Sequence, residues 1–368
     1  MEISPGGSYY IGILPDGCRL CLEGAKAVLF LGGDCFSPEH CRWYCPISQE
    51  RRRPTAVFID EIPVKDYKTI KEEIEMIQGL GLSFTGGDPL YSSKKAQLVS
   101  KYAKKLKRDF GTEFHLHLYT SGLSFNKDIA SELYSAGLDE IRFHPPPGHF
   151  QTLLPAFDFD WSVGAEVPGI PSQNQKEYII SLADFLRDHG GQFLNINEFE
   201  INQMNYDTLK LKGFSLLEET LAAVEGSREF YLDLLSSLAK GSLNIHFCPV
   251  SLKDSYQYRK RFFRRAETIH APYEFITPDG LLYYLEIAGS LPLLKEFRVF
   301  LENEADVPTE MIGLIVEKEV LRVPYYFGEN KEFLELLNNF GFKDVGFVES
   351  TPFSETYRDV CEYIPLDF

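Results

Sequence analysis

The sequence predicts an α/β protein, a partial or complete (β/α) barrel followed by a small α+β unit. Apolar, strand-like runs recur over about the first 250 residues, and helical runs lie between most of them. Several of these helical runs end in glycine, which is typical of a helix C-cap. Strands that alternate with helices form parallel sheets through crossover connections. The alternation leaves one alternative open, a doubly wound open sheet.

The predicted strands are short apolar runs that end at glycine, proline or polar residues. In chain order they are 27–33, 82–87, 114–122, 140–146, 162–170, 193–201 and 243–250. The connecting segments carry apolar residues at helical spacing. The predicted helices are 67–81, 94–111, 128–137, 175–190 and 227–241. Polar residues gather at the carboxyl ends of the strands, where sites in parallel α/β folds are built.

The alternation stops after about residue 255. A helix over 254–269 comes first, and a hairpin over 273–287 with its turn at Pro278–Gly280 follows. The sequence therefore predicts an N-terminal segment (1–26), a barrel (27–288) and a small α+β unit (289–368). Cys361, in a stretch that alternates polar and apolar residues, is predicted to lie in the core.

Composition narrows the class of protein. The 368 residues carry a net charge of −17, which disfavours a nucleic-acid partner despite the basic run 260–265. The amino terminus lacks the pattern of a signal peptide, and no apolar run is long enough to span a membrane. We expect a soluble cytoplasmic protein without a membrane partner. Thiols stay reduced there, so clustered cysteines favour metal or redox chemistry.

Three of the seven cysteines lie in the loop after the first predicted strand, LGGDCFSPEHCRWYCPIS (31–48). They are Cys35, Cys41 and Cys45. A structural zinc ion would need a fourth ligand, and His40 lies inside the loop. A four-iron cluster held by three cysteines would keep one iron free for an exogenous ligand. The residues by themselves leave both possibilities open.

Further motifs carry a resemblance to a known family. Tyr44 precedes the last cysteine, and TGGDP (85–89) ends the second predicted strand. With the three cysteines, they resemble the radical S-adenosylmethionine (radical SAM) superfamily. GCRLCLEGAKAVLF (17–30), TGGDPL (85–90) and HFCPVSLKD (246–254) resemble an uncharacterised, mainly archaeal group related to pyruvate formate-lyase activating enzymes, over roughly residues 15–290. The chain departs from the usual C-x3-C-x2-C spacing, because its gaps are five and three residues.

The resemblance implies a [4Fe–4S] cluster on Cys35, Cys41 and Cys45. The cluster would cleave S-adenosylmethionine (AdoMet) reductively, so that a 5′-deoxyadenosyl radical abstracts hydrogen from a substrate. The residues predicted to bind AdoMet are Tyr44, Gly86, Gly87, Asp88, Ser121, Arg142, Glu166 and Glu198. A ferredoxin or flavodoxin would donate the electron, and the substrate would be a small molecule, a peptide or protein, or RNA. The alternative is a zinc-stabilised binding protein without catalysis.

A second set of soft ligands is predicted from two distant motifs. Cys18 and Cys21 form a C-x-x-C, and His246 and Cys248 lie in the last predicted strand. These four residues suit tetrahedral zinc or an auxiliary iron–sulfur cluster, provided that the N-terminal segment crosses the barrel near that strand. The alternative is that Cys248 is a buried apolar residue and the C-x-x-C is a redox pair or inert.

Overall fold

The computed structural model describes residues 2–4, 6–239 and 241–367, apart from the side chain of Asp254. The chain divides into two compact units. The first consists of Met1–Glu75 and Gly79–Tyr258, and the second of Met76–Gln78 and Arg259–Phe368. This division falls before the boundary near residue 288 that the sequence suggested. The reason is that the strand ending at Ala288 pairs with strands that follow it in the chain.

The first unit is built on a sheet that has eleven strands in the described part of the chain. The strands are β1 (Glu2–Ile3), β2 (Tyr9–Ile11), β3 (Lys26–Leu31), β4 (Val57–Ile59), β5 (Ile62–Pro63), β6 (Gly81–Thr85), β7 (His115–Thr120), β8 (Glu140–Phe143), β9 (Ser162–Gly169), β10 (Phe193–Glu198) and β11 (Asn244–Cys248). The helices are α1 (Asp16–Leu22), α2 (Glu39–Arg42), α3 (Tyr67–Met76), α4 (Ser93–Phe110), α5 (Lys127–Ser135), α6 (Gln173–Asp188), α7 (Tyr206–Leu211) and α8 (Ser227–Leu238).

The seven strands predicted from the sequence are β3 and β6 to β11, and all are parallel. They lie side by side in chain order, which confirms the (β/α) barrel and excludes a doubly wound sheet, whose strand order reverses. The barrel is partial. In the described chain the outer edge of β3 is covered by the antiparallel strands β4 and β5, and that of β11 by β2 and β1.

The strands alternate apolar and polar side chains, as a sheet with two different faces requires. On β10, for example, Leu194 and Ile196 are fully buried, and Asn197 on the other face lines a cavity. Arg142 on β8 and Glu166 on β9 line the same cavity. The interior of the barrel is therefore polar, and the apolar faces of the strands pack outward under the helices.

The N-terminal segment belongs to the barrel. β2 pairs antiparallel with β11, so the chain runs along the last strand before it turns into α1. Gly17 on α1 lies against the interior side chains, and its amide donates to the Glu140 carboxylate at 3.2 Å. A Cβ at position 17 would meet Arg142 Nη2 and His117 Nδ1 at 2.6 Å, so only glycine fits there.

The second unit is a sheet covered by helices. Its strands are β12 (Phe275–Ile276), β13 (Leu282–Ala288), β14 (Gly313–Ile315), β15 (Val320–Val323), β16 (Asp344–Ser350) and β17 (Val360–Pro365). Its helices are α9 (Tyr258–Ile269), which begins in the first unit, α10 (Leu291–Asn303) and α11 (Lys331–Phe340). β12 and β13 form the predicted hairpin. The prediction for Cys361 is wrong, because β17 is an edge strand with exposed side chains. Within the described ranges, no helix is long and apolar enough to cross a membrane.

Candidate active site

The three cysteines after β3 line one cavity of about 480 Å³ at the carboxyl ends of the parallel strands. Cys41 lies on the short helix α2, and Cys35 and Cys45 lie in the loops on either side. Burial, together with the neighbouring Cys35 and Cys45 thiols, raises the pKa of Cys41 to about 12. Three soft sulfur donors around one cavity fit an iron–sulfur cluster. No group of three or more His, Cys, Asp or Glu side chains forms a ready-made metal site among the residues that the structure describes.

Gly86 and Gly87 form the wall of this cavity next to the cysteine loop. A Cβ on Gly87 would lie 2.2 Å from the carbonyl oxygen of Asp34 and 2.5 Å from that of Gly33. The Gly87 amide donates to the Gly32 carbonyl at 2.9 Å. The glycines therefore let the segment before Cys35 pack against the end of β6. This contact supplies a reason for the glycine pair that differs from a close approach to AdoMet.

The side chains of Asp88 and Ser121 are hydrogen-bonded to each other. The buried Asp88 carboxylate accepts hydrogen bonds from Ser121 Oγ at 2.5 Å and from Thr120 Oγ1 at 2.9 Å. It also accepts from the backbone amides of Leu90 and Ser121. These bonds tie the end of β6 to the end of β7. Ser121 lines the cavity, whereas Asp88 does not contribute to its lining.

Arg142 and Glu166, both predicted to bind AdoMet, form an ion pair in which Arg142 is buried and Glu166 is partly buried. Arg142 Nη1 donates to Glu166 at 2.7 Å, and Arg142 Nε donates to Glu140 at 2.5 Å. Asn195 and Asn197 donate to the two oxygens of Glu166. Burial opposes the charge on Glu166, but Arg142 and the two amides outweigh it and hold its pKa at about 2. Glu166 is thus a carboxylate at neutral pH, with Arg142 Nη2 buried and unpaired among the described residues.

The aromatic residue of the cysteine motif contacts a partly buried histidine. Tyr44 Oη lies 3.0 Å from His144 Nε2, and the two rings are stacked with their centroids 6.4 Å apart. His40 meets His144 edge-on at 5.2 Å. Burial and the nearby His40 lower the pKa of His144 to about 3, so the imidazole is neutral. No sequence motif signalled that His144 lies beside Tyr44, because the two residues are 100 positions apart in the chain.

Glu198 and two lysines complete the cavity. The Glu198 carboxylate accepts from the Val250 amide at 2.8 Å, and burial raises its pKa. Lys26 and Lys253 also line the cavity, and the Lys253 ammonium lies 3.7 Å from Glu200. Sequence reasoning missed both lysines as site residues. Their signal was present, because each lies inside a motif that was singled out, GCRLCLEGAKAVLF and HFCPVSLKD.

The second set of predicted metal ligands lies in the barrel interior. Cys18 is buried on α1, and Asn195 Nδ2 donates to its sulfur at 3.2 Å. His246 and Cys248 are buried on β11, and Cys21 on α1 is partly buried. Burial raises the pKa of Cys18 to about 11 and lowers that of His246 to about 4, so both side chains are neutral at pH 7.

Comparison with known proteins identifies a relative. A protein of Methanocaldococcus jannaschii, provisionally named as a glycyl-radical enzyme activating enzyme, is 34% identical over 319 residues, which cover 83% of this chain and 79% of the relative. No family model matches the chain.

Two solved structures illustrate the more distant similarities. Streptococcus suis SuiB bound to its precursor peptide SuiA has a TM-score of 0.41 at 14% identity, covering 68% of this chain and 53% of SuiB. Coproporphyrinogen III oxidase of Escherichia coli, a radical SAM enzyme, has a TM-score of 0.33 at 9% identity, covering 89% of this chain and 92% of that enzyme. The chain spans about half of the length of SuiB.

The identity and coverage shared with the Methanocaldococcus protein agree with the motifs found in the sequence. The chain therefore belongs to the family of glycyl-radical enzyme activating enzymes, within the radical SAM superfamily, and is an enzyme whose family cofactors are a [4Fe–4S] cluster and AdoMet.

Proposed function

We propose that this enzyme holds its cluster through Cys35, Cys41 and Cys45, cleaves AdoMet there and abstracts hydrogen from a protein substrate. One observation carries the proposal. The three thiols face a single cavity at the carboxyl ends of the barrel strands, where Gly86 and Gly87 support the loop that carries Cys35. The alternative of a zinc-stabilised protein without catalysis is set aside, because the relative belongs to an enzyme family.

The residues around the cavity have distinct roles in this proposal. Cys35, Cys41 and Cys45 would hold the cluster, which would supply one electron for the cleavage of AdoMet to methionine and a 5′-deoxyadenosyl radical. That radical would abstract hydrogen from the substrate. Lys26 and Lys253 offer ammonium groups to a carboxylate, and Glu198 offers an acceptor to hydroxyl groups. Tyr44, oriented by His144, presents its ring to the cavity. Arg142 and Glu166 are paired with each other, so we assign them to positioning.

The substrate class follows from the relative. An enzyme that activates a glycyl-radical enzyme acts on a protein, and the name of the Methanocaldococcus relative states that activity. We therefore propose a glycine residue of a partner protein as the hydrogen donor. A ferredoxin or flavodoxin would supply the electron. RNA is the outcome against which the protein substrate is tested below, and desalting of the extract removes small molecules as a source of hydrogen.

Anaerobic reconstitution tests the cluster assignment. The wild-type chain should take up about four irons and four sulfides, show the EPR signal of a reduced cluster and form 5′-deoxyadenosine with dithionite and AdoMet. The triple variant Cys35→Ala/Cys41→Ala/Cys45→Ala should lose all three properties. Cys361→Ala, which removes an exposed thiol of the second unit, is the matched control and should retain them. A triple variant that still cleaves AdoMet would refute the assignment.

Isotope transfer tests the substrate class. The reconstituted enzyme is incubated with AdoMet, dithionite and a desalted extract of cells grown on α-deuterated glycine. A protein substrate should transfer deuterium to 5′-deoxyadenosine, which mass spectrometry detects. Pretreatment of the extract with protease should abolish the transfer, and pretreatment with ribonuclease should not. Transfer that survives protease but not ribonuclease would show that the substrate is RNA.

A further inference from the structure

The second set of predicted metal ligands consists of Cys18 and Cys21 on α1 and of His246 and Cys248 on β11. The register of the barrel strands brings these two pairs together. Cys18 Sγ on α1 accepts a hydrogen bond from Asn195 Nδ2 at 3.2 Å. Asn195 on β10 is the direct partner of His246 on β11. Paired residues of parallel strands point to the same face of a sheet, so His246 stands beside the side chain that contacts Cys18.

His246 itself lacks partners. Its side chain is 97% buried, since only 3% of the residue is exposed, and neither ring nitrogen has a hydrogen-bond partner within the described ranges. Buried polar atoms of folded proteins are almost always paired. A buried imidazole whose two ring nitrogens are both unpaired leaves a nitrogen available to a metal ion.

The thiols of Cys248 and Cys21 lie on the same faces of β11 and α1 as His246 and Cys18. Cys248 is two residues beyond His246 on β11, and it therefore points to the same side of the sheet. Cys21 is three residues beyond Cys18 on α1, which places both on one face of the helix. The contact between Cys18 and Asn195 therefore joins the helix face of Cys18 and Cys21 to the sheet face of His246 and Cys248.

The helix that carries Cys18 and Cys21 needs a tertiary anchor. α1 has seven residues, and no side chain caps its N-terminus. Helices of this length are not stable by themselves, so tertiary contacts hold α1 in place. A metal ion shared between α1 and β11 would supply such a contact.

We propose that Cys18, Cys21, His246 and Cys248 bind one structural zinc ion, which fastens α1 to the last strand of the barrel. Three thiolates and one imidazole are a common tetrahedral zinc set. The thiols release their protons on binding, so neither oxidation nor reduction is required. In the described chain neither this set nor the Cys35 set has ready-made metal geometry, so metal binding by either set would require its side chains to reorient.

The test measures zinc separately from the AdoMet-cleaving cluster. Cys35→Ala/Cys41→Ala/Cys45→Ala, expressed with zinc and dialysed, should contain about one zinc per chain by elemental mass spectrometry. Adding Cys18→Ser and Cys21→Ser should reduce the zinc content at least tenfold. Replacing Cys21 by His instead should retain zinc, because histidine is also a zinc ligand. The matched control adds Cys361→Ser to the triple alanine variant and leaves Cys18 and Cys21 intact. Its zinc content should equal that of the triple alanine variant.

The outcomes separate this proposal from the function proposed above. A triple alanine variant without zinc would overturn the zinc site even if the other variants failed to fold. Iron and sulfide in the place of zinc would overturn the zinc assignment as well. Loss of AdoMet cleavage in a variant that keeps its zinc would bear on the three-cysteine cluster alone.

Discussion

The role of Arg142 in the structure differs from the role that was predicted for it from the sequence. A lone arginine at a strand end resembles an anion-binding residue, and it was predicted to bind AdoMet. In the structure its guanidinium lies between Glu140 and Glu166. A buried charge is stable only when it is paired, so these three residues determine one another's ionisation.

The pKa of Glu166 leads to a prediction about acid stability. A carboxyl whose pKa falls from 4.5 to about 2 on folding adds stability above pH 4.5, and this stability is lost as the pH falls through 2. At pH 7, Glu166→Gln should therefore lower the free energy of unfolding by on the order of 1–3 kcal/mol. The difference from the wild type should narrow between pH 4.5 and 2. Urea unfolding at a series of pH values measures it.

The matched control is Glu113→Gln, which changes an exposed carboxyl that has no ion-pair partner among the described residues. It should differ from the wild type by less than about 0.5 kcal/mol at every pH. A gap between Glu166→Gln and the wild type that stays constant down to pH 2 would contradict the assigned pKa shift.

At the scale of elements, α1 packs against the side chains of the barrel interior. Its buried face contacts the polar side chains of β8 and β10 through Gly17 and Cys18. The first two residues of the motif GCRLCLEGAKAVLF, Gly17 and Cys18, thus each have a structural role. Glycine allows the close approach to Arg142, and the cysteine faces Asn195.

Gly17→Ala tests this packing. The new methyl group would overlap Arg142 Nη2 and His117 Nδ1, both buried, so neither can move aside freely. We expect a loss of stability of about 1–3 kcal/mol, as for other overpacked sites, which thermal or urea unfolding measures. Asp16→Ala on the exposed face of the same helix should change the stability by less than about 0.5 kcal/mol. Equal effects of the two substitutions would show that α1 does not pack against the barrel interior as described.

At the scale of the whole molecule, every residue of the proposed active site lies in the first unit. The second unit has its own apolar core and its own buried ion network. Arg322 on β15 is 1% exposed and donates to Glu286 at 2.9 Å and to Glu355 at 2.5 Å. The ion pairs of Arg322 can therefore be removed by a substitution that changes no residue of the first unit.

Arg322→Met should lower the stability of the second unit by about 1–3 kcal/mol, because it leaves the partly buried Glu286 carboxylate without its cation. Glu355 keeps Lys318 and Arg358 as partners. Urea unfolding measures this change, and iron analysis after reconstitution should show a cluster content equal to that of the wild type. Arg298→Met, which removes a more exposed i,i+4 ion pair of α10, should cost less than about 1 kcal/mol. A loss of cluster iron in folded Arg322→Met would contradict the independence of the active site.

Much of the fold was predictable because hydrophobic periodicity is local information. All seven parallel strands lie where the apolar runs predicted them, since short apolar runs bounded by glycine or proline are stable as buried strands. The short strands β2, β4 and β5 and the helix α1 were missed. Each has only a few residues. β2 and β4 pair with strands that are distant in the chain, β11 and β3, and β5 pairs with β4.

Local sequence motifs carried the resemblance that predicted the class of chemistry, because three cysteines in one loop and a glycine pair at the next strand end are properties of neighbouring residues. The sequence by itself also placed the polar residues at the strand ends. Tertiary structure alone decided their partners: Arg142 with Glu166, Asp88 with Ser121, and Cys18 with Asn195. The physical reason is that alternation along a strand specifies the face of a side chain, whereas strand order and register decide which side chains meet on that face.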